Sequence, residues 1–303
     1  MNYLEELKKS ILEATENIDN IVASLDKMKG NTICVGSGGS HVVGEYASSI
    51  ISNVKSCISY SLDPRDLHYA NLDSFDNIFI ASYSGSNFGV KSSILKDKNT
   101  YLLSSRKTNI SNEVLLHYDM EKEDSFISIK STIIPMSILL KYYLKDKFYD
   151  ILDDIFDNIN LELFLNVDDT YVNIYHGIDC KASSTFLEST FTESRISVPL
   201  MHEKYSYCHG RSTINKGHDS SAIYLSNRNT DLDRTIISVL EFQMKDYLVI
   251  DSRYDDIIID DFYQTIQCLL LMENIARKKK INLRKIKYDK EAVKKLYFFK
   301  GSM

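Results

Sequence analysis

The chain has 303 residues, enough for two domains of ordinary size or one large one with a substantial core. Its 36 basic and 42 acidic residues leave a net charge of −6, and a pI of about 5.7 argues against a general electrostatic nucleic-acid binder. With 44% hydrophobic and 26% charged residues, the composition excludes a disordered or collagen-like chain and fits an ordinary globular protein.

Residues 2–29 carry Leu4, Leu7, Ile11, Ile18, Ile21 and Leu25 along one helical stripe, which predicts a leading helix ending at Gly30. Thr32 to Val35 is a short apolar strand that runs into a Gly/Ser turn, followed by a helix to about Ile51. The unit recurs, with strands at Ile58–Leu62, Asn77–Ala81 and Tyr101–Leu103 and a helix over Asn87–Leu95. From Ile133 to about Asn166 the pattern turns helical. Beyond it come strands at Tyr171–Tyr175, Ala222–Leu225 and Tyr247–Ile250, helices over Ser183–Ser197 and Asp233–Gln243, and a long helix from about Asp260 to Lys279. Strands alternating with helices predict parallel α/β sheets, and the second half repeats the order of the first. The expected organisation is an N-terminal helix at 1–29, a first lobe at 30–145, a connecting helix at 146–165, a second lobe at 166–283 and a C-terminal tail at 284–303.

Five cysteines, at 34, 57, 180, 208 and 268, form neither a Cys-x-x-Cys pair nor a zinc pattern, so reduced thiols are expected. No apolar run is long enough to span a membrane, and the charged start lacks a signal-peptide core. A cytosolic protein without membrane or nucleic-acid partners is expected. The histidines show no paired ligand spacing, so neither a metal nor a cofactor is expected.

Two turns carry the chemistry. Gly36-Ser37-Gly38-Gly39-Ser40 stands between a strand and a helix, where backbone N–H groups and the helix N-terminus favour an anion. It is not a nucleotide P-loop, since no Gly-Lys-Ser/Thr follows, and the dinucleotide glycine spacing is absent. Ser82-Tyr83-Ser84-Gly85-Ser86-Asn87 again joins an apolar strand to a helix and supplies three hydroxyls and an amide to the oxygens of a phosphate monoester. On neighbouring strands the two turns would converge on one ligand at the carboxyl end of a sheet.

These turns resemble the phosphosugar signatures of sugar isomerase (SIS) domains, and the duplicated layout resembles a double-SIS protein over about residues 30–300. The resemblance implies an α/β fold of two similar lobes, each a parallel sheet flanked by helices in a flavodoxin-like three-layer sandwich. It implies that Ser40, Ser82, Ser84 and Asn87 bind the sugar phosphate beside the backbone of Gly38 and Gly39. Asn87 stands where the family usually has threonine.

In the second half, Glu188 and Glu193 lie five residues apart on one predicted helix and so on different faces. Sixteen residues past Glu193 stands His209, before a glycine that suggests a turn. The isomerase half of glucosamine-6-phosphate synthases and related sugar-phosphate deglycases has a glutamate and a His-Gly turn at this separation. One carboxylate can shuttle a proton between adjacent carbons through an enediol or enolamine, and a histidine can exchange a proton with the ring oxygen as the sugar opens. Glu193 and His209 are the candidates. The resemblance further implies that this histidine serves a neighbouring subunit's site, hence a homodimer. It also implies a tail lysine near the open sugar, matched by Lys295. Arg211 stands where the family often has proline, so substrate preference is expected to differ.

The expected function is processing of a sugar phosphate. Deglycase or deaminase-isomerase action on a ketosamine or amino-sugar 6-phosphate comes first. Aldose–ketose isomerisation and non-catalytic phosphosugar sensing are the alternatives.

Overall fold

Strands joined by helical crossovers are covered on both faces, which demands near-continuous apolar runs, and this chain supplies them at 32–35 and 77–81. The computed structural model describes residues 3–85, 88–95, 97–107, 113–123, 125, 127–167, 171–215 and 220–297. The chain divides into two units, one of Met1–Asp124, Ser128–Phe156 and Lys287–Met303, the other of Ser125–Ile127 and Asp157–Ile286.

The first unit runs α1 (Tyr3–Thr15), α2 (Asp19–Lys27), β1 (Thr32–Val35), α3 (Gly39–Lys55), β2 (Ser59–Leu62), β3 (Asn77–Ala81), α4 (Phe88–Ser92), β4 (Asn99–Ser104), β5 (Glu113–His117), α5 (Lys130–Leu144) and α6 (Phe148–Asp157). Its five strands are ordered β2-β1-β3-β4-β5, and every pair is parallel. Alternate residues Ile33, Val35, Ile78, Ile80 and Leu102 form one core with Leu67, Phe75 and Val90. Cys34, Phe79 and Leu103, pointing the other way, are buried as well. Cys34 is pushed up to about 12 by that burial, so it stays a thiol.

The single helix expected over 2–29 is two. Thr15 turns its hydroxyl back onto the Ile11 and Leu12 carbonyls, and Ile18 leaves helical geometry at φ −109°, ψ 14°. The step from Ile11 to Ile18 keeps the apolar stripe in phase across the break, which is why periodicity conceals it. The helix expected over 146–165 is shorter, ending with α6 at Asp157.

The second unit contains β6 (Tyr171–His176), α7 (Lys181–Ser194), β7 (Val198–Glu203), α8 (Lys204–Cys208), β8 (Ser221–Asn227), α9 (Asp231–Gln243), β9 (Asp246–Asp251) and α10 (Ile257–Lys278). The last described helix, α11 (Lys290–Tyr297), follows. The order β7-β6-β8-β9 is again parallel throughout. Tyr175, Tyr207, Ala222, Tyr224, Ile236, Leu240 and Met244 pack one face, while Val172, Ile174, Ile223 and Leu225 are buried too.

In both sheets the third strand pairs on the opposite side of the first strand from the second. The chain thus reverses direction between β1 and β3 and again between β6 and β8, and open α/β sheets bind ligands at the carboxyl ends flanking such a reversal.

Candidate functional site

At the first reversal the two expected turns leave neighbouring strands, with Val35 at the end of β1 beside Ile80 of β3. Gly36 is required by closeness, since a Cβ there would lie 2.0 Å from the Ser40 carbonyl oxygen. Gly38 sits at φ 58° and precedes α3 without any side-chain cap. A Cβ on it would meet nothing within 4 Å, so the space over the helix N-terminus is open. Gly39, by contrast, is packed, with Thr132 Oγ1 2.3 Å and Ser128 Cβ 2.8 Å from the position its Cβ would take. The turn is closed by Ser40 N–H donating to the Ser37 carbonyl at 3.2 Å and His41 N–H to that of Gly38 at 2.8 Å. The Ser37 hydroxyl donates to Asp63 Oδ2 at 3.2 Å, tying the turn to the end of β2. Ser40 is half-buried at the second position of α3.

The second turn is braced from below. Ser82 is buried, donates its N–H to the Leu103 carbonyl at 3.0 Å and accepts the Gly85 N–H on its Oγ at 3.1 Å. The Tyr83 carbonyl accepts from the hydroxyls of Ser104 and Ser105 at 3.2 and 3.0 Å. Ser84 is half-buried. Asn87 lies outside the described residues. The Arg106 guanidinium, 5.7 Å from the Tyr83 ring centroid, is a cation beside this turn that sequence reasoning missed. Its position two residues past β4 was the only signal.

The proton-transfer candidates belong to the second unit. Glu193 is half-buried in the last turn of α7. Glu188, also half-buried, accepts from the Thr192 hydroxyl at 3.2 Å. His209 is exposed and caps the C-terminus of α8 through a 3.1 Å bond from its N–H to the Ser206 carbonyl. The expected turn is present, since Gly210 has φ 95°. Lys295 is exposed on α11, in the first unit.

His202, on β7, is a core residue. Its Nε2 lies 2.8 Å from Asn173 Oδ1, and its ring stacks on Tyr175 at 5.0 Å. Burial, then the charges of Arg211 and His176, hold its pKa below the ordinary histidine value.

At the second reversal the crevice is taken up by charges of the chain itself. Arg228 bonds Asp179 through Nε at 3.0 Å and Asp260 through Nη2 at 3.5 Å. Asp260 is fully buried and accepts from the Arg253 and Tyr254 N–H groups at 2.8 and 3.0 Å. Lys204, buried, donates to the Ser226 carbonyl at 3.0 Å. Burial alone would raise the Asp179 pKa, but Lys204 together with the Arg228 and Ser226 hydrogen bonds outweighs it and holds the carboxyl below its ordinary range. None of this was anticipated, because the charged side chains Asp179, Lys204, Arg228 and Asp260 stand 24–81 positions apart in the chain and share no motif.

Among the described residues, no group of three histidine, cysteine or acidic side chains is placed to hold a metal ion. Nor is any described helix long and apolar enough to cross a membrane.

Neither a family model nor a curated protein sequence matches the chain. Solved structures do. Glucosamine-6-phosphate deaminase from Thermotoga maritima superposes with a TM-score of 0.70 at 14% identity, covering 94% of this chain and 97% of that one. Tagatose-6-phosphate ketose/aldose isomerase from Escherichia coli gives 0.70 at 12% identity, over 92% and 93% of the two chains. The C-terminal domain of glucosamine-fructose-6-phosphate aminotransferase from Francisella tularensis gives 0.66 at 12% identity, over 94% and 99%. The expected architecture is thereby established: the chain has the phosphosugar-isomerase fold of SIS type, two parallel sheets flanked by helices.

Proposed function

We propose that this protein is an enzyme that processes a sugar phosphate, acting as a deglycase or deaminase-isomerase on a ketosamine or amino-sugar 6-phosphate. The observation that carries the reading is the pair of turns at the β1/β3 reversal. A helix N-terminus without a side-chain cap opens there beside a second turn whose serines add hydroxyls and no fixed charge. In this reading the amides of Gly38 and Gly39 and the side chains of Ser40, Ser82, Ser84 and Asn87 hold the phosphate.

Glu193 then takes the proton from the carbon next to the carbonyl or imine and returns it to the adjacent carbon, passing through an enediol or enolamine. His209 moves the proton to and from the ring oxygen during opening, supplied by the neighbouring subunit of a homodimer. Lys295 stabilises negative charge that develops on the open sugar. The likeness to a deaminase and to a ketose/aldose isomerase supports this range of chemistry. A cytosolic location follows from the same metabolic role.

The test is incubation with hexose 6-phosphates, glucosamine 6-phosphate and fructosamine 6-phosphates, followed by product analysis and thermal shift. Ligand at 100 times its dissociation constant stabilises by about 2.7 kcal/mol. Glu193→Gln is expected to retain that shift and lose roughly 10²- to 10⁴-fold in turnover. A shift without turnover in the unaltered protein identifies a phosphosugar-binding regulator instead, and silence across the panel overturns both.

A further inference from the structure

The two turns at the first reversal offer an anion backbone amides and serine hydroxyls, and hydroxyls bring no charge of their own. A phosphate monoester carries about −1.5 to −2 at pH 7, so a cation beside the turns would add to its binding. Among the described residues, two arginines are linked to the turns, one to each. Arg65 is already engaged. Its Nε donates to Asp63 Oδ1 at 3.0 Å, and Asp63 Oδ2 accepts the Ser37 hydroxyl at 3.2 Å. The charge of Arg65 is thus offset by the very carboxylate that connects it to the first turn.

Arg106 is placed differently. It follows β4 by two residues, and β4 lies against β3, with Leu103 beside Ala81. The Ser104 and Ser105 hydroxyls donate to the Tyr83 carbonyl at 3.2 and 3.0 Å, and Ser104 Oγ accepts the Arg106 N–H at 3.2 Å. These bonds fasten the segment that carries Arg106 to the second turn itself. The guanidinium then lies over the Tyr83 ring, 5.7 Å from its centroid. Among the described residues, no carboxylate pairs with that guanidinium and no hydrogen-bond acceptor takes its N–H groups. Asp119, which follows the adjacent strand β5, lies 3.4 Å from His117 Nε2 instead.

A contact with a ring face steadies a guanidinium without using its donors, and the planar fork matches two phosphate oxygens at once. Arg106 is therefore a cation held at the turn with its hydrogen-bonding capacity unspent. We propose that Arg106 is a phosphate-binding residue of this site, supplying the positive charge that the two turns lack. The proposal rests on the sugar-phosphate reading of those turns and adds to it a residue that determines how strongly the charged end is held.

Titration calorimetry of the whole protein with glucose 6-phosphate, fructose 6-phosphate and glucosamine 6-phosphate tests it, on Arg106→Ala, Arg106→Lys and Lys107→Ala. Arg106 and Lys107 are both exposed, so all three variants are expected to keep the ligand-free melting temperature. For any probe that binds the unaltered protein, Arg106→Ala is expected to weaken affinity roughly tenfold or more and to make it less dependent on salt. Arg106→Lys keeps the charge and loses the fork, so its affinity should fall between the two. Lys107→Ala removes the same charge one residue further on and should change affinity less than about twofold.

Unchanged affinity or unchanged salt dependence in Arg106→Ala, or an equal loss in Lys107→Ala, overturns the proposal. The two readings fail separately. If Arg106→Ala binds normally while Ser82→Ala does not bind, only the role of Arg106 falls. If no probe binds the unaltered protein, the site and the proposal fall together.

Discussion

The two units build the same crevice and fill it differently. Beyond β1 and β3, the α3 N-terminus has no side-chain cap and opens under Gly38. In the second unit, the corresponding helix α7 has its first amides taken by a carboxylate from α10, with Asp261 accepting from Ala182 N–H at 3.1 Å and Ser183 N–H at 2.8 Å. The next turn is likewise satisfied internally by Asp233, and Arg228 is neutralised between Asp179 and Asp260. Parallel topology aims amides and helix N-termini at the same place in every such sheet. Whether the place accepts an anion depends on whether the chain has already put one there. A phosphate arriving at Asp261 would meet like charge, whereas above Gly38 it meets open space.

The comparison can be broken from the second unit first. Asp260→Ala strips four hydrogen-bond donors and one guanidinium of an acceptor, and loss of one member of a buried ion pair costs about 3–5 kcal/mol. Urea denaturation should show that loss, and a change below about 1 kcal/mol would mean that the network contributes little. Gly39→Ala tests how tightly the first crevice is built. Its methyl group would collide with Thr132 and Ser128, an overpacking expected to cost about 1–3 kcal/mol together with any sugar-phosphate shift.

Ser82→Ala sharpens the contrast. It removes one bond to the Gly85 N–H, so about 1 kcal/mol of stability is expected to go, yet the thermal shift by sugar phosphates should disappear. Retention of the shift would detach Ser82 from the phosphate.

The smallest effect concerns pH. His202 has a folded pKa below the ordinary 6.5, so the unfolded chain binds its proton first. The stability it contributes is full above pH 6.5 and declines as pH falls through the folded value. Asp179 and Asp233 are likewise held below 3.8, so their contribution is full above that pH and is lost as pH falls through their folded values. Melting temperature against pH should therefore fall in two acid steps, and His202→Gln should remove only the upper one.

Much of this layout is legible from residue order. The apolar runs at 32–35, 77–81 and 222–225 become central strands because burial on both faces leaves no room for polar residues. Of the four edge strands, β2 and β9 were expected at Ile58–Leu62 and Tyr247–Ile250, while β5 and β7 escaped. In β5 only Leu116 is buried, and β7 carries Pro199 with a largely half-exposed surface, so neither shows the apolar signature of a central strand. The Gly/Ser turns were legible because their conformations need glycine locally, at Gly36 by contact and at Gly38 by its positive φ.

What residue order determined, then, is everything set by neighbours along the chain: helix stripes, central strands, and turns that leave backbone amides pointing outward. The tertiary structure alone decided which of those amides stay available. Asp261 reaches α7 from 78 positions away, Arg228 meets Asp260 across 32, and Asn227 meets Asp251 across 24. Such pairs are created by strand order and crossover, which bring distant carboxylates to the ends of the sheet, and no local pattern records them.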